Sequence, residues 1–197
     1  MKVFARLALA LCAFSAMASA QVAEIGLHGG VSRLSNRVLG DIPLQGGGTM
    51  PLSLDDGWRF GFRFTINNYR FFGNEFGYAY NRTKLNLGGQ GGDGMAIHQG
   101  FYNFLAYATP EESTIRPFVT GGGHFSNFVP PGQTATWGGG QTKFGINYGG
   151  GIKIRVSPIW LIRLDYRQYM TGKPFDLPGP GGMLRQNEIS AGFSFTL

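Results

Sequence analysis

From Trp58 the chain alternates with period two: Trp58, Phe60, Phe62, Phe64 and Ile66 fall on even positions, Gly57, Arg59, Gly61, Arg63 and Thr65 on odd ones. Such alternation puts the two sets on opposite faces of a β-strand. It recurs with Phe76, Tyr78 and Tyr80 against Glu75, Gly77, Ala79 and Asn81, and with Phe144, Ile146, Tyr148, Ile152 and Ile154 against Lys143, Gly145, Asn147, Gly151, Lys153 and Arg155. Trp160, Ile162, Leu164 and Tyr166 alternate with Arg163, Asp165 and Arg167, and Ile189, Ala191, Phe193, Phe195 and Leu197 with Glu188, Ser190, Gly192, Ser194 and Thr196. The pattern predicts strands over 22–33, 57–67, 71–83, 96–108, 114–126, 142–156, 159–170 and 185–197. In the fourth and fifth neither parity is tidy, which points to a bulge or a wet segment there.

The connections between these strands span about 23, 3, 12, 5, 15, 2 and 14 residues, long and short in turn. An antiparallel up-and-down barrel with turns at one rim and loops at the other produces that series. The long ones are Leu34–Asp56, Lys84–Met95, Asn127–Gln141 and Thr171–Leu184. In a soluble barrel the apolar face would be the interior, yet eight strands enclose too narrow a lumen for about twenty-five rings and branched chains. Inverted, the apolar face meets lipid and the lumen holds glycines and a few charges. The fold expected is therefore all-β, an eight-stranded transmembrane barrel. Its short turns Asn68–Arg70, Thr109–Ser113 and Ser157–Pro158 face the periplasm, and its long loops the exterior.

Composition agrees. Thirty-three glycines in 197 residues argue against helices, and 14% aromatics against disorder. Residues 1–20, with Lys2 and Arg6 ahead of an apolar middle and Ala18-Ser19-Ala20 at the end, have the three parts of a secretory signal peptide. The barrel domain is then 21–197. Cys12 lies in the leader, so no disulfide is expected in the mature chain. Without Lys2 and Arg6, 15 of the 17 basic residues stand against 11 acidic ones, too mild and scattered a surplus for nucleic acid.

The stretch Arg116-Pro117-Phe118-Val119-Thr120-Gly121-Gly122-Gly123, the hairpin Phe144–Tyr169 and the closing Glu188–Leu197 resemble the outer-membrane β-barrel superfamily that includes the membrane domain of OmpA and the opacity proteins. The resemblance covers the whole mature chain. It implies residence in the bacterial outer membrane, contact with its lipids, and periplasmic chaperones and barrel-insertion machinery as assembly partners. It also implies that Phe193, Phe195 and Leu197 form the insertion signal, Leu197 departing from the usual terminal aromatic.

His124-Phe125-Ser126-Asn127 resembles the His-x-Ser-Asn motif of lipid A deacylases. A Ser–His pair wants an acid to orient the imidazole, and no Asp or Glu occurs between Glu112 and Asp165. No enzymatic activity, cofactor or metal site is expected, since His28, His98 and His124 lie on distant segments. On the strand parities Glu24, Arg59, Arg63, Glu75, Lys143, Lys153, Arg155, Arg163, Asp165, Arg167 and Glu188 point inward. Two arrangements follow: an ion-pair network filling a closed lumen, or a narrow anion-preferring pore. The shortest turns consistent with both apolar faces pointing out pair Asn67 with Phe71 and Arg155 with Ile159. That sets Arg63 opposite Glu75, Arg163 opposite Gly151, Asp165 opposite Gly149 and Arg167 opposite Asn147, with Asp165 close to Arg163 or Arg167. The function expected is structural and surface-interacting, through four long loops and a ligand the sequence does not name.

Overall fold

The computed structural model describes residues 22–133 and 139–197, so the expected leader and part of the third loop lie outside the described residues. Ten strands follow in order: β1 (Val22–Ser35), β2 (Val38–Pro43), β3 (Thr49–Leu54), β4 (Gly57–Tyr69), β5 (Phe72–Leu87), β6 (Gln90–Tyr107), β7 (Ile115–Val129), β8 (Gln141–Arg155), β9 (Trp160–Gly172) and β10 (Met183–Thr196). All but β2 and β3 form the barrel, each antiparallel to its neighbours. It closes where β1 pairs with β10 and where β5 pairs with β6.

The apolar set lies outside. Trp58, Phe60, Phe62, Phe76, Tyr102, Phe104, Ile162 and Leu164 are all exposed on the outer wall. A soluble monomer rarely shows a contiguous apolar patch beyond a few hundred Å²; here it encircles the molecule. Cross-strand aromatic contacts knit the belt, such as Phe76 with Tyr102 at 4.8 Å between centroids and Trp160 with Phe195 at 5.5 Å.

Both expected registers are displaced by two residues. Arg63 faces Gly77, and Glu75 faces Thr65. The turn around Arg70–Phe71 pairs Tyr69 with Phe72, which alone would have put β4 and β5 out of phase. Asn67 and Asn68 bulge against the single Gly73 and restore the alignment of faces. In the other hairpin Arg155 faces Leu161, so Lys153 lies opposite Arg163, Gly151 opposite Asp165 and Gly149 opposite Arg167. The turn there takes the four residues 156–159, with Ser157 Oγ accepting from the Trp160 N–H at 3.1 Å.

Two of the long loops are more ordered than their sequences suggest. The first contains the hairpin β2–β3, whose second strand extends the sheet along β5 through Leu52–Leu87 and Leu54–Leu85. The second is mostly strand, since β5 and β6 continue to a turn at Gly88-Gly89, both at positive φ. The untidy fourth and fifth barrel strands, β6 and β7, pair from Ala96–Val129 to Tyr107–Phe118 with no register shift. Their pattern blurs for another reason. Outward positions include Gly100, Gly121, Gly123 and His98, while Ile97, Phe101, Leu105, Phe118 and Phe128 point in.

Candidate functional site: a charged layer inside the barrel

The inward polar positions of β4, β5, β9 and β10 converge on a layer of charge. Arg163 Nη1 approaches Glu75 Oε2 at 2.5 Å, and Arg167 Nη2 approaches Glu75 Oε1 at 2.6 Å. Arg63 Nη1 lies 2.6 Å from Asp165 Oδ2, and Asp165 Oδ1 also lies 3.0 Å from Arg163 and 3.2 Å from Arg167. Toward the loops Arg59 pairs with Glu188 at 2.7 Å. Toward the turns Lys153 pairs with Glu24 at 2.6 Å and also donates to Tyr107 Oη. None of these nine charged side chains is more than 5% exposed.

Glu75 thus serves Arg163 and Arg167, not Arg63 as the shorter register required, and Arg63 is held by Asp165 and donates to His28 Nδ1. Lys143 and Arg155 keep inward parity but sit at opposite rims: Lys143 pairs with Asp176 in the last long loop, and Arg155 donates to the Glu111 carbonyl in a turn. Arg116, unassigned from sequence, is a further buried cation. Aromatic rings flank the arginines: Arg116 lies 3.5 Å from the Tyr107 ring, Arg163 4.4 Å from Phe118, Arg59 5.0 Å from Tyr169 and Arg167 5.4 Å from Phe101. Small residues make the room, Gly77 beneath the Phe101 ring and Gly151 beneath Phe118.

Above this layer the lumen turns apolar. Leu34, Leu39, Leu52, Leu54, Met95, Ile97, Phe128 and Leu184 form one buried cluster, against which Ile42, Leu85, Phe175 and Leu177 pack. Strand extensions and the β2–β3 hairpin build it, and the last long loop roofs it, with Asp41 N–H donating to the Pro178 carbonyl at 2.6 Å. Phe175 holds φ of 72° in that roof and donates its N–H to Gln141 Oε1. Asp176 beside it accepts from Lys143 at 2.6 Å and Gln141 at 2.9 Å. The Lys143 hydrogen bond, then that of Gln141, lowers its carboxyl below the usual range.

His124 and Ser126 both point into the lumen and are buried, His124 Nε2 bonded to Thr171 Oγ1 at 2.7 Å and Ser126 Oγ accepting from Gln99 at 3.0 Å. No hydrogen bond between them, and no acid bonded to the imidazole, occurs among the described residues. Nor do three His, Cys, Asp or Glu side chains there gather as metal ligands. Phe193 and Phe195 lie on the outer wall of β10, and Leu197 follows it with its N–H on the Ala23 carbonyl.

A family model described as outer membrane protein beta-barrel domain matches residues 5–196. No sequence match was found among curated proteins. Solved barrels share the fold at low identity. OprG of Pseudomonas aeruginosa is 12% identical with a TM-score of 0.58, over 90% of this chain and 95% of its own. Neisserial surface protein A is 15% identical with 0.53, over 90% and 96%. Ail of Yersinia pestis, in complex with the heparin analogue sucrose octasulfate, is 12% identical with 0.51, over 90% and 99%.

Proposed function

The chain belongs to the outer-membrane β-barrel family and resides in the bacterial outer membrane; from that premise we propose that it is a closed, non-enzymatic barrel whose work is done at the surface formed by its loop end. One observation carries this reading: the lumen is filled twice over, by the salt-bridged layer between Arg59 and Lys153 and by the apolar cluster above it. Buried cations that already face carboxylates at 2.5–2.7 Å have little charge left to attract a permeating anion. The ordered β2–β3 hairpin and the tied-down last loop give the outer end a defined shape, of the kind a binding surface needs. Phe193, Phe195 and Leu197 serve as the insertion signal, and lipids, chaperones and insertion machinery are the partners of assembly.

Purified, refolded protein in planar bilayers tests the reading. We expect no stepwise conductance, and on intact cells protease cutting at Gly46–Gly48, where the hairpin tip stands free. Discrete anion-selective steps would replace the closed barrel with the pore, and cutting confined to Glu111 or Glu112 would invert the orientation. Lipid A should keep its acyl chains when the protein is expressed; a deacylated species lost in Ser126→Ala would make it an enzyme.

A further inference from the structure

Three neighbouring strands, β1, β10 and β9, carry a graded column on the outer wall. Four rows of outward side chains descend it: Ser35, Arg185 and Met170; then Arg33, Asn187 and Gln168; then Val31, Ile189 and Tyr166; then Gly29, Ala191 and Leu164. The top row lines a recess of about 370 Å³ with Asn36 at the loop end. The two lower rows line an apolar recess of about 540 Å³, deepened by the absence of side chain at Gly29 and Gly150. The two cations, Arg185 in the first row and Arg33 in the second, thus stand directly above the apolar groove.

Arg33 and Arg185 are exposed, and among the described residues neither makes an ion pair. Asp56, just before β4, accepts from the Leu34 N–H at 2.8 Å through Oδ1 and makes no ion pair with either arginine. Asn187 Oδ1 accepts from Tyr166 Oη at 3.1 Å and Gln168 Nε2 at 2.9 Å, and Tyr148 Oη donates to Gln168 in turn. These bonds fix the Asn187 amide and leave its NH₂ uncommitted between the two arginines. Unpaired guanidinium groups and a fixed amide donor at the top edge of a lipid-facing belt suit a phosphate oxygen. The groove beneath them suits the chain attached to it.

We propose that this column binds one phosphorylated, acylated glycolipid of the outer leaflet, its phosphate on Arg33, Arg185 and Asn187 and one acyl chain in the groove over Gly29 and Ala191. The assignment takes the loop end as the outer end, as the proposed orientation has it. Two unpaired guanidinium groups favour the phosphate monoester of such a glycolipid, which carries up to two negative charges, over the singly charged phosphodiester of a phospholipid.

Native mass spectrometry of the detergent-solubilised protein, titrated with bisphosphorylated lipid A, reads the binding without depending on orientation in the cell. We expect one lipid A per barrel. The double variant R33Q/R185Q should weaken it about tenfold or more, whereas R33K/R185K, which keeps the charges, should retain most of it. Gly29→Leu should weaken it several-fold by filling the groove; a Cβ there meets only the Arg59 carbonyl oxygen, at 3.7 Å, so the backbone need not move. Each variant is first shown to fold by its heat-shifted electrophoretic band. Unchanged binding in R33Q/R185Q, equal binding of phosphatidylglycerol, or a protein dimer in place of a lipid adduct would each overturn the proposal.

Discussion

The barrel has two interiors of opposite chemistry. Near the turns and the middle, β4, β5, β9 and β10 contribute salt-bridged arginines and carboxylates; near the loops, β3, β6 and the strand ends contribute leucine, methionine and phenylalanine. The charged half depends on partners. Its groups were taken from water, and only their pairing and the flanking rings offset that cost. The apolar half depends on volume and tolerates imperfect fit at a smaller penalty. A barrel spanning a membrane can place polar groups only inside its transmembrane section, because its outer face belongs to lipid. Where the strand extensions and the β2–β3 hairpin thicken the wall, the lumen packs like an ordinary core.

The sharpest way to break this contrast is at Glu75. Glu75→Gln leaves Arg163 and Arg167 with Asp165 alone, a carboxylate that Arg63 also uses, and should destabilise the protein by about 3–5 kcal/mol, read as a lowered urea midpoint. Conductance should stay at its baseline, because the apolar cluster still fills the lumen above the layer. An unchanged midpoint would mean that the layer is solvated. Leu54→Ala, in the apolar half, should cost about 2–3 kcal/mol, the low end of the range for a buried leucine because the hairpin can settle into the space. Its distinguishing sign is local: faster proteolysis of β2–β3 with conductance unchanged. The smallest effect concerns the roof. Asp176 has a carboxyl pKa held down by Lys143, so its contribution is present above the unfolded carboxylate value near about 3.9 and is lost as pH falls through the lower folded value. Acidification below about pH 4 should therefore loosen the last loop, measured by amide exchange at Phe175, and Asp176→Asn should remove that response.

Sequence showed the charged half well and the apolar half badly. Arg59, Arg63, Glu75, Asp165 and Arg167 stand in long runs of clean alternation, so parity alone assigned them to the lumen, and the structure buries them there. Their partners were less legible. A one-residue bulge at Asn67-Asn68 and a four-residue turn at 156–159 each moved a register by two, enough to exchange Glu75's partner. Local sequence constrains bulges weakly, since they form to reconcile turn geometry with face alignment. The apolar cluster was invisible for a different reason. Leu39, Leu52 and Leu177 come from segments that read as loop, and in β6 both faces are apolar, which erases period-two contrast. Arg116 was missed because Pro117 and, further along the strand, Gly121–Gly123 break the pattern that would have marked its side.

Nearly all the links of the charged layer join strands remote along the chain. Glu75 lies 88 and 92 positions from Arg163 and Arg167, Arg63 lies 102 from Asp165, and Glu24 lies 129 from Lys153. While strands are added in order, none of these contacts exists; they arise together when β1 reaches β10. Stabilisation that arrives after the rate-limiting step slows the reverse reaction and leaves the forward one almost untouched. Where closure of β1 on β10 follows that step, the layer is a latch in time: variants that break it open faster but close at the same rate, and the molecule persists by its half-life more than by its equilibrium.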